Sequence, residues 1–363
     1  MSPLTDATRA EEGTADPGPG LRADGAGLAG LAWVTWRQHR WALLFALVVA
    51  AALSGWMTYL ASEMTGILHE CHDSVCAAGS PQELRLQAPF GPVDVADNLL
   101  LAVQYLPLLI GMFLGVPVLA REFEQRTLLL AWSQDVSPMR WMWTKLLLLG
   151  LFVAVLTAGL SVASGHLAQV LHDLGEGSMF EGQMFFDSGM LPLVIGISWF
   201  VVGVALGAAV RRILPAGMAV VLGFVGLMLT VDWRYPRLVT PVSRFAAFAL
   251  GDPHRDDTPM ANALVIKSGI AVGPGHVVNL YDSAHHAVTW PQLQRMCPDF
   301  FELSGEDSLR CFSGHHLTHY QVYQPGDRIP EFHLLIAAGY LGLGAVALLT
   351  VWLLVRRTAL SAG

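Results

Sequence analysis

Charge is scarce in this sequence. Asp, Glu, Lys and Arg make up 14% of its 363 residues, where soluble globular domains carry about a quarter. With 53% hydrophobic residues and a mean hydropathy of +0.49, that shortage excludes a soluble chain and points to one that crosses a bilayer repeatedly. The net charge of -8 averages over two compartments and says little about partners. Lysine is rarer still: Lys145 and Lys267 are the only two, and neither follows a glycine. The phosphate-cradling G-x-x-x-x-G-K-[ST] loop is therefore absent, and with it an ATPase on this chain. No early apolar run resembles a cleavable signal peptide. Ionisable side chains are nearly missing from the apolar runs as well; His166 lies near one end, and Asp97 and Asp232 at boundaries. That weighs against a proton- or sodium-coupled carrier, which places a carboxylate or broken helix at mid-membrane.

What is present is a series of long apolar segments. Residues 1–27 are rich in Gly, Ala, Asp and Pro without apolar periodicity and read as a disordered cytoplasmic tail. Residues 28–40 set Trp33 three before Trp36 and Arg37 three before Arg40, which suits an amphipathic interfacial helix. Six spans are expected near 41–61, 98–120, 142–166, 190–210, 215–232 and 332–355, each sized for a hydrocarbon core of about 30 Å. The fold expected is an all-α polytopic membrane protein: spans one to five within 41–232, a loop domain at 233–331, span six, and a tail at 356–363.

Basic residues set the orientation. Arg37, Arg40, Arg121, Arg126, Arg140, Lys145, Arg211, Arg212, Arg356 and Arg357 all fall on one side close to span ends, which makes that side cytoplasmic and puts both termini inside. The loop at 233–331 then lies outside, too long for a bare connection, and is expected to be a small cap. Cys71 with Cys76, and Cys297 with Cys311, lie in outer loops and read as disulfides of an oxidising compartment.

Within the spans, Gly111 with Gly115 and Gly203 with Gly207 form two G-x-x-x-G pairs that let helix backbones approach closely, chiefly within one subunit. Pro107 and Pro117 each remove a helix hydrogen bond and are expected to bend span two. Residues that could line a substrate path are Gln104, Tyr105 and Phe113 in span two and Met228 and Thr230 in span five. The densest charge is at 121–127, Arg-Glu-Phe-Glu-Gln-Arg-Thr, followed by Leu-Leu-Leu-Ala-Trp-Ser. Glu122 stands four residues before Arg126, the favourable order for an intrahelical pair worth a few tenths of a kcal/mol. That leaves Glu124 as the sharper candidate for contact with a partner. Ser137 and Pro138 supply an N-cap and first-turn proline for span three, so the stretch forms an elbow along the cytoplasmic face.

Three stretches carry a family resemblance. They are Thr-Trp-Arg-Gln-His-Arg at 35–40; the 121–127 stretch through Ser133 and on to Arg140, Trp141 and Lys145; and Tyr323-Gln-Pro325 with Arg328. On these the chain resembles permease subunits of ABC transporters of the exporter-type ABC-2 membrane family, in particular its actinobacterial branch, over residues 30–357. It departs where Gln125 or Arg126 stands in place of that family's usual glycine. The resemblance implies a type V exporter-like subunit in a bacterial plasma membrane, paired with a second copy or homologue. It also implies two separate cytoplasmic ABC ATPase subunits, which would hold the ATP and Mg; no cofactor or nucleic acid is expected on this chain. Arg121, Glu122, Glu124, Arg126, Thr127 and Arg140 would form the ATPase-docking region, with a coupling helix around 128–140. The cargo would be an amphipathic or hydrophobic compound, such as a drug, antibiotic or lipid-like molecule.

Two other classes compete. One is an ABC-type sensor or resistance module whose cap binds a ligand without exporting it. The other is an anchored outer metal-binding module, prompted by His285, His286, His315, His316 and His319. His315 and His319 have the i, i+4 spacing of helical ligands, but His-His-Leu-Thr-His lacks the glutamate of H-E-x-x-H.

Overall fold

The computed structural model describes residues 28–71, 76, 79–125, 138–180, 182–248, 262–273, 276–298 and 305–362. Among them, six helices are long and apolar enough to cross a membrane, as expected of a chain whose backbone must satisfy itself in lipid. Span one is Leu28–His69, span two Pro92–Gln125, span three Pro138–Asp173, span four Leu191–Val210, span five Ile213–Arg234 and span six Ile329–Ala362. Span one has 42 residues, roughly 63 Å of helix at 1.5 Å per residue. It therefore overruns the hydrocarbon core, and the 28–40 segment is its continuous first three turns rather than a separate helix. Pro138 opens span three, as its first-turn preference predicts.

Span four is the hub. In its most apolar window 67% of residues are buried, against 22% in spans one and five, so those two present most of their surface outward. Span two meets span four through their glycine pairs. A Cβ on Gly203 would lie 2.1 Å from the carbonyl oxygen of Gly111, and one on Gly115 would lie 2.4 Å from that of Phe200. The two G-x-x-x-G motifs thus pack against each other inside one chain. Where they meet, span two changes its helix type: Pro92–Leu109 gives way to a π-helical turn, Ile110–Gly115, before Pro117–Gln125. The Val116 N–H donates to Gly111 O across 2.9 Å. Pro117 has no N–H to continue the α pattern, and one extra residue in the turn absorbs the defect.

One apolar core joins Leu43, Leu119, Trp141, Ala208 and Val355, so spans one, two, three, four and six bring their basic ends together. The opposite end carries the cap between spans five and six. There the expectation of an all-helical chain needs correction. The cap holds a three-stranded antiparallel sheet of β1 (Val242–Ala247), β5 (Thr318–Gln324) and β2 (Leu264–Lys267) in the order β1-β5-β2, and a hairpin of β3 (Ala271–Gly273) and β4 (His276–Val278). Thr, Tyr and Val in β5 favour the pleated surface. Two helices, Trp290–Met296 and Gly305–Gly314, pack over a small core of Leu280, Val288, Leu293, Phe312 and Leu317. The Cys297–Cys311 disulfide links them, and a second disulfide joins Cys71 to Cys76 at the end of span one.

The cap is closed at its base. Gln324, fully buried, donates through Nε2 to Pro236 O at 3.1 Å and Val239 O at 2.6 Å, and Arg328 donates to Thr240 O and Gln324 Oε1, both at 2.9 Å. The Tyr-Gln-Pro and Arg328 motif is thus a staple that ties the entry of span six to the exit of span five.

Candidate functional site

Two sites at opposite ends of the spans bury ionisable side chains. At the basic end, Pro117–Gln125 turns Arg121 and Glu124 outward and Glu122 inward. Glu122 is 5% exposed and forms an ion pair with Lys145, 3% exposed, 23 positions along the chain. Lys145 also donates to Gln38 Oε1 of span one at 3.0 Å and lies 4.3 Å from the centre of the Trp141 ring. A lysine and a glutamate removed from water are stable there because each neutralises the other and a further polar group shares the ammonium. The partner of Glu122 in the structure is therefore Lys145, and Glu122 sits behind the surface as a strut between spans one, two and three. Arg126 and Thr127, including the expected Glu122–Arg126 pair, lie outside the described residues. Arg140 is exposed at the start of span three, where its carbonyl accepts from Thr144.

The next two residues grip a different element. Glu124 Oε1 accepts the backbone N–H of Ile213 at 2.9 Å, and the Arg211 guanidinium lies 5.0 Å above the Phe123 ring. Arg211 adopts a left-handed backbone (φ 58), ending span four, and Ile213 begins span five. Glu124 thus satisfies one of the orphan donors at a helix N-terminus, where negative charge is favoured. A single helix end clasps span three by one acid and the turn between spans four and five by another.

At the cap end, the connection between spans three and four folds inward. Its short helix, Gly182–Phe186, buries Phe185 against Phe180, Tyr235 and His333, and Phe180 meets Phe332 edge-on at 4.9 Å. Ser164 of span three donates to Asp187 O and Ser161 to Gly189 O, each at 2.6 Å. These bonds hold Asp187 at 1% exposure with Oδ2 lacking any hydrogen-bond partner. Burial pushes its carboxyl well above the ordinary carboxylate range.

The family described as "ABC-2 membrane transporter related" matches residues 46–235. The chain belongs to that family. A second family, a domain of unknown function (DUF8319), matches residues 237–329. No curated protein and no solved structure matches the chain.

As an ABC-2 family member the chain is a multi-pass permease component of an ABC transporter, partnered by an ATPase subunit rather than catalytic itself. Its five suggested path residues separate into different surroundings. Gln104 and Met228 line a cavity of about 50 Å³ together with Asp187. Thr230 lies on an apolar groove of about 260 Å³ between spans five and six. Phe113, 62% exposed, lines a groove of about 440 Å³ between spans one, two and three. Tyr105 is exposed with its ring 6.1 Å from that of Phe224. Sequence reasoning missed Asp187 altogether, and Gln38 as a partner of Lys145. The only local signal for Asp187 was its place in Phe-Phe-Asp-Ser-Gly, just ahead of span four.

The cap histidines also separate. Gly305–Gly314 ends before His315, and His319 belongs to β5, so their spacing is not that of one helix face. His285 stacks on Phe245 at 3.9 Å, His286 pairs with Asp282, and His319 contacts Gln321 and Phe248. No cluster of three potential metal ligands forms among the described residues.

Proposed function

We propose that this permease is the membrane half of an ATP-driven exporter in a bacterial plasma membrane, moving an amphipathic or apolar compound outward. Two copies, or this chain and a homologue, would stand together. Two cytoplasmic ABC ATPases would bind ATP and Mg beneath them. The convergence of basic span ends on one face supports placing that face, with both termini, in the cytoplasm. The sparsely covered surfaces of spans one and five leave room for the second permease and for lipid.

The observation that carries the reading is the clasp of Phe123 and Glu124 on the turn between spans four and five. An ATPase pressing on exposed Arg121 and Glu124 would move the starts of spans three and five together; the expected coupling helix around 128–140 lies mostly outside the described residues. Nucleotide state would then bias the path between the two permeases toward inward or outward access. Proteoliposomes holding the permease and its ATPase test this: the expected result is ATP-dependent movement of an amphiphile, reduced at least tenfold in Arg121→Glu. Hydrolysis without any movement favours a second reading, a ligand sensor, which the cap's own core and disulfide support.

A further inference from the structure

The cavity at Asp187 has a chemistry that nothing in an apolar transport path demands. It is enclosed by spans two, four, five and six and by the inward-folded connection. Its lining includes two carboxylates, Asp187 and Asp232, the Gln104 amide and three aromatic rings, Phe186, Phe224 and Tyr340, and no basic side chain. A carboxyl at 1% exposure with an oxygen left unpartnered is costly. Three aromatic rings line the same cavity, and the face of such a ring attracts a cation. Such a site rejects an anion and has too many polar groups for a plain hydrocarbon.

The size limits the guest further. At about 50 Å³ against about 260 Å³ for the groove next to it, the cavity suits a compact group. An ammonium or methylammonium head fits. Directly beside it runs the groove of about 260 Å³ between spans five and six, and Val231 and Tyr340 belong to the walls of both. That groove is almost wholly apolar, with Leu227, Leu335, Ile336 and Leu343 along it and Arg234 as its one charged wall. One space is lined by carboxylates and rings and its neighbour by apolar side chains, which matches the two halves of a cation with an alkyl chain.

We infer that Asp187, with Phe186, Phe224 and Tyr340, forms a binding site for the ammonium head of an amphipathic amine, whose chain lies in the groove between spans five and six. Burial favours the protonated form of the Asp187 carboxyl. When the ammonium enters, that proton leaves to water and the carboxylate pairs with the cation. The groups facing the exchange from neighbouring elements are Asp232 of span five and Tyr340 of span six; His333, also of span six, is engaged with Phe185 O at 3.1 Å. This specifies the cargo class of the proposed exporter and rests on that reading only for calling the guest a cargo.

The test is calorimetric titration of the full chain in lipid nanodiscs with n-hexylammonium, and with 1-hexanol and hexanoate as chain-matched controls. The expected result is saturable binding of hexylammonium alone, weakened at least tenfold in Asp187→Asn and severalfold in Phe224→Leu. Equal binding of hexanol and hexylammonium, or unchanged affinity in a folded Asp187→Asn protein, overturns the site. The titration needs no ATPase, so its failure leaves the exporter reading standing. Absence of ATP-driven movement in proteoliposomes removes that reading and leaves the titration valid.

Discussion

Two buried carboxylates, at opposite ends of the same helices, have opposite surroundings. Glu122 is met by Lys145, which also engages Gln38 and the Trp141 ring, whereas Asp187 lines a cavity with Phe186, Phe224 and Tyr340 and has one oxygen unanswered. A chain seldom hides an acid without an ion to match it. The matched acid fixes three spans to one another and has no room for a guest. The unmatched one is held in place through its backbone, by Ser164, and keeps its side chain for something else. The same residue chemistry is therefore a strut at one end and a receptor at the other.

The contrast can be broken most severely at the strut. Lys145→Met leaves Glu122 buried without its counter-ion, and is expected to cost about 3–5 kcal/mol, read as a large fall in the thermal unfolding midpoint of the purified permease. Removing both charges in Glu122→Met with Lys145→Met should recover most of that loss, since apolar replacements of a whole buried pair are commonly neutral. A double variant as unstable as the single one would show that the pair is not acting as a closed unit.

The receptor end should respond in the reverse sense and by less. The folded pKa of Asp187 is raised, so its contribution to stability is full below the ordinary carboxylate value and is lost as pH rises through the raised value. Asp187→Asn cannot ionise. Its unfolding midpoint is expected to exceed that of the parent protein by a few degrees in alkaline buffer, with the difference shrinking as pH falls. A gap that is constant with pH would mean that the carboxyl is already answered by an unseen charge.

The membrane half was legible because a bilayer imposes a length on apolar runs, and six were long enough. Paired glycines and paired cysteines were legible because both act over short sequence distances. What escaped depends on long-range packing. Glu122 has a tempting neighbour four residues on, yet its partner is on the next span. Asp187 is polar and lies outside any apolar run, and its burial depends on spans two, four, five and six closing around the cavity it lines. The strands of the cap are three to seven residues long, too short for alternation to stand out in a proline-rich stretch.

On the two proposals together, the permease is gripped at its basic end and loaded at its cap end. The most direct test of that account is nucleotide hydrolysis by the ATPase with and without the permease, comparing the parent chain with Glu124→Ala. The prediction is that the parent permease stimulates hydrolysis, and that Glu124→Ala, which frees the Ile213 N–H and the turn it begins, abolishes most of the stimulation while the permease still folds. Stimulation equal to that of the parent would contradict the clasp as the route by which the ATPase and the spans communicate.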